Sequence, residues 1–552
     1  MNDIRRTILW AVFGFSLVML WDQWQIHNGN KPTFFPSAVK PAEQTSAPAA
    51  TPDAVTPPAA LSSQAMPTTA PTAPASSPRE RIDVATDVLK ITFDTEGGNV
   101  VGAELLKHGD AHHSGHNVKL LDDSKERVYL AQSGLISSVP NALLPNHKTP
   151  MHFSGAKALN DGEDSLVVKF ESDPVGDVKL VKTYSFKRGS YAVGVEHLIR
   201  NNSAASINPQ LYVQLVRDGN KLEGESAFYS TFTGPAVYTS QKKFQKVEFA
   251  DIEKSKADFE KQSTQGYVAM VQHYFASAWL LDDGQQRDIF ARKIDQNLYS
   301  AGMVAPLPAI ASGSQLSQST RLFIGPQEEK TLEAIYPGLE LVKDYGWLTI
   351  LSKPLFWLLY ELNKIIANWG WSIVALVVVL KAAFYWLNAQ AYRSMGKMKA
   401  INPKIMEMRE RLKDNPQQMQ MEMMKIYREE KVNPLGGCLP IAVQIPFFIA
   451  LYWVLLSSVE MRNAPWIGWV HDLAAPDPWF ILPLLMTATS MLQTWLNPTP
   501  PDPIQAKMMW FMPLAFSVMF FFFPAGLVLY WLSNNILSIA QQWMINKQLG
   551  LN

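Results

Sequence analysis

Five apolar stretches fill much of the carboxyl-terminal part of this chain, at residues 365–387, 436–459, 479–496, 508–523 and 525–545. Crossing a hydrocarbon layer of about 30 Å takes roughly 20 helical residues, and most of these stretches reach or approach that length. Lipid offers no partner for backbone polar groups, so such segments fold as helices. The shortest, 508–523, would span only about 24 Å, which favours a locally thinned bilayer. A sixth candidate, residues 7–21, follows Arg5 and Arg6, which hold the amino terminus in the cytoplasm. The run from Trp21 to His27 lacks the small-x-small pattern of a cleavage site, so residues 1–26 are expected to be an uncleaved anchor rather than a removed signal.

Composition sharpens this. Only 18% of the 552 residues are charged, against roughly 25% in soluble domains. Forty-nine basic side chains balance 49 acidic ones, which excludes a broadly basic nucleic-acid binder, and the single Cys438 excludes an intrachain disulfide framework. Mean hydropathy is −0.04, so water-soluble and lipid-soluble parts must alternate along the chain.

Residues 31–80 hold 11 of the 37 prolines and 12 alanines, a tract with too little large apolar surface to offset chain entropy; residues 27–81 are expected to be a tether. Residues 82–337 then show short alternating runs, such as Leu89, Ile91 and Phe93 between Lys90, Thr92 and Asp94, broken by Gly, Asn and Asp. This pattern predicts a large antiparallel β-sandwich with its own core. His108, His112, His113 and His116 could ligate zinc, but their Gly- and Asp-rich setting reads as a solvated loop. Glu196 beside His197 is expected as an outward-facing polar pair rather than a site for sugar or acyl chemistry.

Residues 338–362, rich in rings and interrupted by Lys353-Pro354, suit a helix lying along the membrane surface. The remaining boundaries are 363–388 for the second span, 389–434 for a loop, 435–459 for the third span, 460–478 for a loop, 479–496 for the fourth, 497–507 for a loop, 508–523 for the fifth, and 524–552 for the sixth with a short tail. Ten Lys or Arg lie between 389 and 433 but only Arg462 between 460 and 478, so the first loop is cytoplasmic and the second external. The sandwich then faces the periplasm, and both termini are cytoplasmic.

Lys381 is the most informative residue, because an ammonium inside an apolar span should face a wet interior or a partner unless its stem snorkels to the headgroups. Gln444, Thr487, Thr489, Ser490, Gln493, Ser533, Asn534 and Asn535 add polar groups at membrane depth, and none of the five spans contains an acidic residue. Such a cavity suits a hydrated, acidic guest. A proton- or sodium-coupled pump is hard to build without a carboxylate, although a passive transporter or channel stays open as the alternative. The cationic loop is itself helical: Met398, Ile401, Ile405, Met408 and Leu412 recur at steps of three or four, and residues 417–431 form a second, Met-rich helix. Eight of 22 methionines lie between 395 and 424, fitting an adaptable receptor for apolar segments or an ordinary helical seam with basic flanks.

The run Lys431-Val432-Asn433-Pro434-Leu435-Gly436-Gly437-Cys438-Leu439-Pro440, then Gln444-Ile445-Pro446, Trp469-Val470-His471-Asp472-Leu473, Asp477-Pro478 and Phe523-Pro524-Ala525-Gly526-Leu527-Val528-Leu529-Tyr530, resembles the YidC membrane-protein insertases of Gram-negative bacteria. The resemblance covers residues 340–545 by motif, and the rest by architecture. It implies a polytopic α-helical membrane protein of six transmembrane helices, five forming the core, with a periplasmic β-sandwich domain in the inner membrane. It also implies a groove open to cytoplasm and lipid that receives hydrophilic tails of nascent membrane proteins, alone or with the Sec translocon. By position the groove residues are Lys381, where the family has arginine, with Gln444, Tyr530 and Trp531. Lysine keeps the charge but loses the planar fork of donors. Met398, Ile405, Met408, Arg409, Arg411 and Lys413 become contacts for clients or the ribosome, with more weight on this loop because the chain stops at Asn552 without a basic tail. No enzymatic activity, cofactor, metal or sequence-specific nucleic acid is implied.

Overall fold

Alternation of side chains across a pleated strand builds the amino-terminal part of the structure. In Ser165–Ser172, Leu166, Val168 and Phe170 point inward while Ser165, Val167 and Lys169 point out. The computed structural model describes residues 79–110, 113, 115–137, 139, 142–222, 231–412, 415–430, 439–497 and 503–548. Within them lie two nine-stranded sheets, and the strand pairing within each is antiparallel. Val128–Ser137, Pro209–Asp218 and Leu298–Pro306 run side by side at the middle of one sheet; Phe275–Leu281, Gln315–Pro326 and Ala192–Asn201 do so in the other. Inward residues of both sheets merge into one apolar core that includes Phe93, Leu135, Phe170, Leu215, Trp279 and Ile324.

Polar bonds cross this core. The Trp279 indole donates to the Gln214 carbonyl at 3.0 Å, and the Tyr129 hydroxyl to that of Met270 at 3.2 Å. Lys182 is wholly buried and donates to the carbonyls of Gly97 and Ser133, each at 2.7 Å; burial pushes its ammonium down to about 7. Glu196 and His197 do not form an outward pair. Neighbours on a strand face opposite ways, so Glu196 meets Ser317 outside while His197 is buried, 2.9 Å from the Ser133 hydroxyl. Of the histidine cluster, His108 packs on Phe275 with ring centroids 5.5 Å apart, His113 lies 3.4 Å from Asp110, and His112 is outside the described residues.

Gly266 marks the tightest backbone approach. Its φ is +115°, and a Cβ there would stand 1.9 Å from the Tyr238 carbonyl oxygen. Gly266→Ala is expected to lose about 3 kcal/mol or more of stability, the sum of a strained φ and overpacking, read as a lowered midpoint of thermal unfolding. A wild-type midpoint would refute it.

Two short helices, α1 (Phe249–Glu253) and α2 (Glu329–Ile335), decorate the sheets. A later piece of chain, Trp453–Asn463, also belongs to this unit. Val459 enters the core, Lys343 pairs with Glu460 at 3.1 Å, His273 donates to the Leu456 carbonyl at 3.0 Å, and the Arg462 guanidinium lies 5.3 Å from the Phe275 ring.

The second unit is helical: α3 (Thr349–Ile366), α4 (Trp369–Ala383), α5 (Tyr385–Arg411), α6 (Pro416–Glu429), α7 (Leu439–Ser457), α8 (Ile481–Leu496), α9 (Pro503–Phe520) and α10 (Ala525–Gln548). Helices α3 and α7 each share residues with both units, and α3 exposes Ile350, Trp357 and Ile365. Tyr345, grouped by sequence with this surface helix, is instead buried, its hydroxyl on Glu329. Residues 363–388 are not one straight segment. Ala367 adopts φ 56°, Asn368 caps α4 by accepting from the Trp371 N–H at 3.0 Å, and α4 and α5 meet at a bend of 70°. Among the described residues no single helix is long and apolar enough to cross a membrane; this bent pair is, by length and composition, and shorter apolar helices cover 443–457, 481–496 and 506–520.

Candidate functional site

Two stretches of sequence some fifty residues apart make one joint beneath the site. The Asp477 carboxylate accepts from the Trp469 indole at 3.0 Å and from the backbone N–H groups of Trp479 and Leu482, fixing the start of α8. The N–H groups of Ala525 and Gly526 donate at 2.8 Å to the carbonyls of Ala475 and Leu473, fixing the start of α10. A Cβ at Gly526 would sit 3.1 Å from the Leu473 oxygen, a tight contact.

From that joint α10 presents a polar line to its neighbours. Tyr530, Asn534 and Ser538 recur every four residues and so share a face. The Lys381 ammonium on α4 donates to the Ser538 hydroxyl at 2.7 Å, and the Gln444 amide on α7 donates to the Asn534 side-chain oxygen at 3.1 Å. Lys381, Gln444, Tyr530 and Asn534 line one recess with Asn388 and the apolar side chains of Val377, Leu380, Phe384 and Phe447. Its free space is about 10 Å³, room for about one water, so a larger guest must part the helices. Next to Asn534, Asn535 turns the other way and donates to Ser490 of α8 at 2.8 Å, while Gln542 reaches Asn497 at 3.1 Å. These bonds form a seam on the opposite side of α10.

Three of the four groove residues marked by sequence therefore meet in one recess. Trp531, one position further along, packs its ring on Phe448 at 3.9 Å and Phe520 at 4.6 Å instead of lining it. Ser538 and the nearly buried Asn388 went unmarked; the four-residue step from Tyr530 was the signal for Ser538.

The hairpin of α5 and α6 closes on itself. Asn415 caps α6 by accepting from the Gln418 N–H at 3.2 Å, with Pro416 in the first helical position. Ile401, Ile405 and Met408 are buried against Met419, Met423, Ile426 and Tyr427, with Met398 packed alongside. Met398, Ile405 and Met408 thus form the seam between the two helices, and the exposed thioethers are Met406, Met421 and Met424. Arg411 pairs with Glu422 at 2.7 Å and Lys404 with Glu430 at 2.6 Å. Arg409 is half-buried, and Lys413 lies outside the described residues.

A β-rich domain of two antiparallel sheets, followed by apolar helices around a polar recess, defines a two-part architecture, and comparison with known proteins gives it a family. The family model described as the YidC periplasmic domain matches residues 81–358, and that of the 60Kd inner membrane protein matches residues 361–551. Membrane protein insertase YidC of Ralstonia nicotianae is 56% identical across 100% of this chain and 99% of its own length; that of Cupriavidus necator is 53% identical across 99% and 98%. A crystal structure of an active YidC insertase with its first transmembrane domain resolved aligns over 83% of this chain and 91% of that one, at 19% identity and a TM-score of 0.39. The chain belongs to the YidC membrane protein insertase family.

Proposed function

We propose that the recess between α4, α7 and α10 receives the hydrophilic tail of a nascent membrane protein, and that the following apolar segment leaves sideways into lipid. One observation carries this reading: the Lys381 ammonium is held by a neutral hydroxyl, with no carboxylate paired to it among the described residues. A charge so placed attracts an acidic guest without being quenched by its own chain. The relatives carry the name of insertases, and the reading assigns this chain the same work, with no covalent chemistry.

Six spans, five of them the core, with both termini in the cytoplasm and the β-domain in the periplasm, agree with the cationic loop at 389–433 and the loop at 460–478, whose only Lys or Arg is Arg462. Helices of 15, 19, 16 and 18 residues at α4, α7, α8 and α9 measure about 22 to 28 Å, which suits a bilayer thinned around them. The Sec translocon and the ribosome are the proposed partners, the latter through the exposed cations and methionines of the hairpin. Photocrosslinkers placed at Gln444 and at Trp531 test the path. A stalled nascent chain should attach at Gln444, and at Trp531 once the helices part; labelling of neither would remove the recess from the route.

A further inference from the structure

The Ser538 hydroxyl bridges two helices. It donates to the Asn534 carbonyl at 2.7 Å and accepts from the Lys381 ammonium at 2.7 Å. A serine hydroxyl has one proton, which the Asn534 carbonyl takes, so toward Lys381 it can act only as an acceptor. The charge on α4 is thereby tied to α10. Without that oxygen the four-carbon stem of Lys381 has no fixed end, and its ammonium is free to swing toward the headgroups.

We infer that Ser538 is a positioning residue that keeps the Lys381 ammonium at the recess until a carboxylate of the arriving tail replaces the hydroxyl. This rests on the recess being the receiving site. It goes further in one respect: discrimination between acidic and neutral tails depends on Ser538 as well as on the charge itself. The exchange is favourable in sign, since a carboxylate accepts a stronger bond from an ammonium than a hydroxyl does.

Full-length protein in vesicles of phosphatidylethanolamine and phosphatidylglycerol provides the test. Two single-span substrates are compared that differ only in aspartate or asparagine in the translocated tail, and the ratio of their insertion rates is read. Ser538→Ala should lower the ratio about three- to tenfold, the range of one hydrogen bond, while leaving the asparagine substrate near its wild-type rate. Ser538→Thr, which retains the hydroxyl, should preserve the ratio. Equal slowing of both substrates by Ser538→Ala would show a packing role only and overturn the inference, as would an unchanged ratio or failure of Ser538→Thr to preserve it. Lys381→Ala separates the two levels. If it erases the discrimination while Ser538→Ala does not, the positioning role falls and the recess stands; if it changes nothing, the receiving site itself is wrong.

Discussion

Lys381→Glu is expected to slow insertion of acidic-tailed substrates about a hundredfold. Loss of the attraction alone, as in Lys381→Ala, corresponds to about 1.4 kcal/mol, or tenfold, for charges a few ångströms apart at an effective dielectric intermediate between water and dry protein. Reversing the sign adds a repulsion of similar size. Lys381→Arg should stay close to wild type or exceed it, because the guanidinium can hold a carboxylate with two parallel bonds. Single-turnover insertion into reconstituted vesicles measures the effect, with protease protection of the translocated tail as the readout. Wild-type kinetics for Lys381→Glu would contradict the assignment of the recess.

Acidification should unfold the β-domain steeply, through its buried histidines. Burial pushes the His197 imidazole down to about 3, helped by the Lys182 charge. Burial also lowers His273, to about 4, against the opposing pull of its bond to the Leu456 carbonyl. In the unfolded chain both take up protons near 6.5. Between 6.5 and those lowered values the unfolded state binds more protons, so the stability that neutral histidine contributes is complete above 6.5 and falls as pH falls. Each residue removes up to about 1.4 kcal/mol per pH unit, so two units of acidification take on the order of 5 kcal/mol from the pair. Denaturant midpoints of the full-length protein, followed by β-sheet circular dichroism between pH 7 and 4.5, should show this slope. Burial also lowers His108 and His147 to about 4, so His197→Gln, permanently neutral, should remove about a quarter of the slope; an unchanged slope would exclude His197 as a source.

Much of this architecture was legible because strong periodicities leave few alternatives. Leu166, Val168 and Phe170 announce a half-buried strand, and the lone cation in 365–387 draws attention to Lys381. Other features depend on contacts that no local pattern carries. The break before α4 requires Ala367 at positive φ and the Asn368 cap, while in the sequence both fall inside one mostly apolar stretch, 365–387. His197 was misread because its neighbour Glu196 is exposed and the pair was treated as one object. Met398, Ile405 and Met408 carry the same spacing whether they meet a client or their own second helix; the buried seam with α6 decides it. The four-residue step from Tyr530 puts Ser538 on the recess face of α10, but only the reach of Lys381 singles it out among the hydroxyls of that helix.

The return of Trp453–Asn463 to the β-domain changes how a truncation must be designed. Excising the domain along its sequence limits would strip Val459 of its apolar surroundings and, if the cut ran past Lys343, strand Glu460 without its cation. A shortened chain that fails can therefore fail at this socket, with the helices blameless. Cuts that retain residues from 328 onward, paired with Val459→Ser to make the bared surface wettable, would let the helical half be judged on its own merits.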